Sequence, residues 1–77
     1  MNNKFSVSPE EVKRLRKKIG LTQKQTAELF GIGIFSWQRK EIPITSKNNR
    51  PLTKAEYIVL QLLADEYAGY SVKTETH

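Results

Sequence analysis

The sequence predicts an all-α domain of four helices, and three observations lead to that expectation. Three times a hydroxyl residue is followed three positions later by Glu or Gln: Ser8 with Glu11, Thr22 with Gln25, and Thr53 with Glu56. In such a pair the hydroxyl accepts from the third helical N–H while the longer side chain reaches back to the capping residue, so each pair marks a helix start. Gly20, Gly31 and Gly69 stand where helices begun at those points would stop, because glycine takes the left-handed backbone of a helix terminus. Between these marks apolar residues recur at helical spacing.

The first helix is expected from Pro9 to about Lys18. Ser8 caps it, Pro9 presets the first turn, and Val7 is placed to staple onto Val12. Val12, Leu15 and Ile19 form the inward face, leaving Lys13, Arg14, Arg16, Lys17 and Lys18 outside or at its margin. Cations at that end also suit the helix dipole. The second helix, Gln23 to Phe30, is short because Gly31 follows nine residues after Thr22. A third begins near Ile34 and runs through Trp37 toward Glu41, before Pro43 prevents continuation. Ile42 to Leu52, with two prolines and two asparagines, reads as a loop kept basic by Lys47 and Arg50. The fourth helix opens at Thr53, continues to about Tyr67 and stops before Gly69; a polar tail from Tyr70 to His77 is expected to fray.

With 77 residues the chain makes one small domain, near the size at which a core needs help from a partner subunit. There is no cysteine and only one histidine, His77, which excludes a disulfide framework and argues against a zinc cluster. Met1 to Val7 lacks the apolar run of a signal peptide, and no stretch approaches the roughly 20 apolar residues of a membrane span. A cytoplasmic protein is expected. Without a cysteine nucleophile, an internal histidine base, a glycine-rich phosphate loop or a clustered carboxylate pair, no enzymatic activity, metal, cofactor or small-molecule ligand is expected.

The formal net charge of +5 is unevenly spread. Residues 1–50 carry eleven Lys or Arg against four Glu, whereas residues 51–77 carry two Lys against four acids. A basic N-terminal part is the footprint of a polyanionic partner; the acidic, apolar remainder suggests protein contacts.

Residues 21–41, LTQKQTAELFGIGIFSWQRKE, resemble the helix-turn-helix of the Cro/CI-type, lambda-repressor-like regulators, the XRE class. The matching positions are Thr22, Gln23, Ala27, Gly31, Ile32 and Trp37. Their physical reasons stand independently: Ala27 lets two steeply crossed helices approach, Gly31 tolerates the positive φ of a tight reversal, and Ile32 and Trp37 face a shared core. The chain departs from the pattern at Gly33, where a capping Ser or Thr is usual, at Thr26, where leucine is usual, and at Lys40, where an apolar residue is typical and a lysine would be free to reach phosphate.

The resemblance implies a helix-turn-helix over residues 22–41 whose third helix enters the major groove of double-stranded DNA. Ile34, Phe35, Ser36, Gln38 and Arg39 then meet base edges. Arg39 suits a bidentate pair with guanine, Gln38 one with adenine, and Ile34 or Phe35 a thymine methyl; packing of these last two against a second subunit or the loop is the alternative. Gln23 resembles the family glutamine that touches the phosphate backbone. Arg14, Lys17, Lys18, Lys24, Lys40, Lys47 and Arg50 are further candidates for phosphates.

The fourth helix, 53–67, carries more apolar surface than one core-facing stripe requires. Ala55, Ile58 and Leu62 are expected inward, leaving Val59, Leu60, Leu63 and Tyr67 as a homodimer interface. A dimer would read an inverted-repeat operator. In its small size the chain also resembles the autoregulating repressors of phages or plasmids, including anti-CRISPR-associated ones, and that resemblance implies a repressor of its own operon. The alternative is an antitoxin or other protein-interaction module on the same fold.

Overall fold

The computed structural model describes residues 5–67; the expected tail from Tyr70 to His77 lies outside them. Four helices follow in order: α1 (Pro9–Ile19), α2 (Gln23–Phe30), α3 (Ile34–Gln38) and α4 (Lys54–Leu63). No strand is present among the described residues, so the expected all-α class holds.

The caps form as hydrogen bonds. Thr22 and Thr53 each accept from the third residue of their helix, and Gln25 and Glu56 return a bond to the capping N–H. At α1 the box is only half made. The Ser8 hydroxyl accepts from the Glu11 N–H at 3.1 Å, but the Glu11 carboxylate is taken by Arg14 through two 2.8 Å bonds. A charged, two-pronged donor one turn along outcompetes a single backbone N–H.

Three helices end in the same way. After α1 the Leu21 N–H bonds to the Arg16 carbonyl and the Gly20 N–H to Lys17; after α2 the Ile32 N–H bonds to Ala27 and the Gly31 N–H to Glu28. Gly20 and Gly31 sit at φ 89° and 70°, where a side chain would be strained. After α4 the pair is Glu66 to Gln61 and Asp65 to Leu62, with Asp65 at φ 60°. The fourth helix therefore stops at Leu63 rather than near Tyr67. Aspartate is one of the few residues other than glycine that enters the left-handed region, so Asp65 ends the helix before Gly69 can.

The core comprises Val12, Leu15, Ala27, Trp37, Leu52, Leu60 and Ala64, with Val7, Ile19, Phe30, Ile32 and Tyr57 packed against it. α2 lies on α3 and α1 on α4. Trp37 stacks on Phe30, their ring centres 5.5 Å apart and nearly parallel. Thr26, in the place of a usual leucine, is fully buried, and its hydroxyl donates to the Thr22 carbonyl at 2.8 Å, so no polar atom is orphaned.

The expected faces of α4 are corrected at two positions, while Val59 and Leu63 lie outward as expected. Leu60, assigned above to a dimer surface, is fully buried in the core, and Tyr57, Leu60 and Ala64 form the inward stripe. Ala55 is exposed and Ile58 and Leu62 are half-buried, beside the exposed Val59 and Leu63. With nearly every position of the helix apolar, its own periodicity has no unique inward direction. Among the described residues no helix is long and apolar enough to cross a membrane.

Candidate nucleic-acid interface

At five residues α3 is too short to persist alone, so its orientation is dictated by what grips it. Gly31 reverses the chain, Gly33 in extended conformation opens α3, and Trp37 anchors it in the core. Beyond its C-terminus the loop folds back. The Asn49 amide donates to the Arg39 and Ile42 carbonyls at 3.2 and 3.0 Å, and the Arg50 N–H bonds to the Arg39 carbonyl at 2.9 Å. Carbonyls left over at the helix end are thereby satisfied, and Asn48 and Arg50 are brought beside α3.

Just past α3 stands a carboxylate that the sequence reading gave no role. Glu41 is buried and accepts four hydrogen bonds: from Arg16 Nε at 2.6 Å, Arg16 Nη2 at 3.0 Å, Trp37 Nε1 at 2.6 Å and Gln23 Nε2 at 3.1 Å. Burial pushes its pKa up, but the donors from Arg16, Trp37 and Gln23 outweigh burial and hold the carboxyl below its ordinary value. Arg16, expected at the margin of the first helix, is buried, and its Nη1 donates to the Leu21 carbonyl at 2.9 Å. Arg16 lies four residues after Val12, on the core face, and Glu41 four after Trp37; that spacing was the available signal.

From this hub a chain of amides leads to the surface. Gln23 Oε1 accepts from Gln38 Nε2 at 3.1 Å, so the first residue of α2 is bonded to the last residue of α3. Gln38 is half-buried and shares an open hollow with Phe35, Arg39, Ile42 and Asn48. Phe35 is 74% exposed, Ser36 and Arg39 are exposed, and Ile34 is half-buried. The five expected base-reading residues therefore occupy one short helix and its cap, and four of them line its accessible side.

Of the expected phosphate-binding residues, Gln23 has its amide engaged by Glu41 and Gln38, and the seven cations fall into two groups. Lys17, Lys24, Lys47 and Arg50 are exposed and make no ion pair among the described residues. Arg14 and Lys18 instead meet Glu66, 2.7 Å away in each case, because the turn at Asp65 swings Glu66 back over α1. Arg14 and then Lys18 draw the Glu66 pKa down to about 2. Lys40 is not free: its side chain is 11% exposed, with Nζ 3.1 Å from Glu56 Oε1 and 3.4 Å from the Pro51 carbonyl. It ties the end of α3 to the start of α4. Burial raises the Glu56 pKa, but the Thr53 N–H and Lys40 outweigh it, leaving the group below its ordinary value.

Two helices joined by a three-residue reversal, the second offering an accessible face of mixed chemistry, define a helix-turn-helix unit within an all-α domain. No family model and no solved structure matches the chain. Over 39 residues it is 44% identical to Antitoxin MqsA of Escherichia coli (strain K12), a match covering 51% of this chain and 30% of that protein. The chain thus spans less than a third of this curated relative.

Proposed function

We propose that the protein is a sequence-specific DNA-binding transcriptional repressor of the Cro/CI type that reads the major groove with α3. The observation that carries this reading is the accessible side of α3, where Phe35, Ser36, Gln38 and Arg39 stand together on a helix gripped from both ends. Arg39 offers paired donors to guanine O6 and N7, Gln38 a donor and an acceptor to adenine, and Phe35 an apolar contact for a thymine methyl. Lys17, Lys24, Lys47 and Arg50 neutralise phosphates, while Arg14, Lys18 and Lys40 reach them only by leaving their carboxylates. No catalytic role, cofactor or small-molecule ligand is proposed.

A second copy docking on the outward stripe of α4, centred on Val59 and Leu63, would set two α3 helices about 34–36 Å apart, matching an inverted repeat. An operator of that symmetry in front of the protein's own operon makes it an autoregulator. Selection from a random duplex library followed by a salt titration tests the reading. One palindrome should emerge, with log affinity falling by about 0.9 per phosphate contact for each unit of log salt. Arg39→Ala should lose about 1–3 kcal/mol of discrimination at one base pair, whereas Lys24→Ala should weaken all sequences alike. No selected sequence, or equal relaxation by both variants, rejects α3 as the reader.

The likeness to an antitoxin favours a second reading, in which the α4 stripe receives a toxin rather than a second copy. Sedimentation of the isolated chain separates the two: a dimer supports self-association, and a monomer that dimerises neither alone nor on DNA supports the antitoxin.

A further inference from the structure

We infer that Gln23 and Glu41 are positioning residues that set the donor–acceptor polarity of Gln38, and with it a preference for adenine over guanine at one base pair. The inference rests on the reading of α3 as the DNA-reading helix.

A carboxamide has two faces of opposite character, and an unconstrained glutamine can turn either outward. Here the choice is made in the core. Glu41 is ionised, being bonded to the Arg16 guanidinium through both oxygens, and an ionised carboxylate only accepts. The side chain of Gln23 that meets it at 3.1 Å must therefore present its NH2 group. The Gln23 oxygen then faces Gln38, and that oxygen also only accepts, so Gln38 must present its own NH2 at 3.1 Å. One N–H and the carbonyl oxygen of Gln38 remain for the hollow it shares with Phe35, Arg39 and Asn48.

A donor beside an acceptor is the complement of adenine, whose N7 accepts and whose N6 donates in the major groove. Guanine offers two acceptors, N7 and O6, and its O6 would oppose the Gln38 oxygen. Were Gln23 reversed, Gln38 would turn its oxygen inward and its two N–H groups outward, matching guanine instead. The buried carboxylate thus selects between two bases without approaching either.

The test compares the native chain with Gln23→Met, which keeps the length of the side chain and removes both of its hydrogen bonds. After selection from a random duplex library, the base pair read by Gln38 is the one whose preference Gln38→Ala abolishes. At that pair the native protein should favour adenine over guanine by roughly tenfold or more, and Gln23→Met should reduce the ratio to about twofold or less. Gln38→Ala should add no further loss of discrimination in the Gln23→Met background. Uniform weakening by Gln23→Met with the adenine preference intact would overturn the relay and leave Gln23 a phosphate contact. If the native chain selects no sequence, the DNA-reading function itself falls, and the inference with it. A readout without DNA comes from side-chain amide resonances in a pH titration: those of Gln23 and Gln38 should move together as the Glu41 carboxyl protonates, and Gln38 should cease to respond in Gln23→Met. A Gln38 resonance indifferent to Glu41 in the native chain would overturn the relay even where DNA binding is intact.

Discussion

Replacing Glu41 with alanine should remove a large share of the domain's stability. The substitution removes four hydrogen bonds at once and leaves the Arg16 guanidinium, whose side chain is 10% exposed, with only the Leu21 carbonyl as partner, while the indole N–H of buried Trp37 loses its acceptor. Removing one member of a buried ion pair costs about 3–5 kcal/mol because the other charge stays desolvated. A chain of 77 residues has about 4–12 kcal/mol of stability in total, so the loss takes a large share of it. Thermal unfolding followed by far-ultraviolet circular dichroism should show Tm lowered by about 12 °C or more. The double change Arg16→Met with Glu41→Leu should recover at least half of the loss, since paired burial of apolar groups leaves no uncompensated charge. Acidity supplies an internal control. The Glu41 pKa is lowered from 4.5 in the folded protein, so its stabilisation is complete above that value and disappears as pH falls through the lower folded value. The gap between native and Glu41→Ala should therefore narrow only in acid below about pH 4.5. A cost under about 1 kcal/mol at neutral pH would refute the account of Glu41 as the hub.

Three further outcomes follow from the same geometry. Asp65→Gly relieves a non-glycine residue at φ 60° and should raise stability by about 0.5 kcal/mol, or a few degrees in Tm; a lower Tm would show that Asp65 contributes something its backbone does not reveal. Leu63→Glu places a charge on the exposed stripe of α4 and should yield a folded monomer by sedimentation velocity, while an unchanged dimer would remove that stripe from the interface. Thr53→Ala deletes the cap of α4 and should cost about 1 kcal/mol in urea unfolding; a cost near zero would mean that packing alone holds the start of that helix.

What was legible in the sequence was local chemistry. Thr22, Thr53 and Ser8 marked the helix starts to the residue, because a cap acts on a backbone N–H three positions away. Gly20 and Gly31 marked two ends for a similar reason. The end of α4 was missed because Asp65 and Gly69 can both take the required conformation, and the earlier one prevailed. Leu60 was placed on the wrong face because Leu60 and Leu62 are alike in composition and differ only in what the rest of the fold places against them. Arg39 and Phe35 were readable as accessible from helical spacing around Trp37. The link from Glu41 through Gln23 to Gln38 was not, since it joins residues 18 and 15 positions apart that meet only after the helices pack. Lys40 shows the same limit: its charge was plain, but Glu56, sixteen positions on, decides where the charge points.

The chain has a single tryptophan, and its position makes the molecule carry its own optical probe. Trp37 is wholly shielded from water, stacked on Phe30, with its N–H against a carboxylate. Its emission should be blue-shifted while the core is intact and move to the red when the Glu41 cluster opens. Because the indole lies behind α3 rather than on its accessible side, a ligand resting on that side should leave the colour of the emission unchanged. Unfolding and surface binding can then be followed separately in one unlabelled sample.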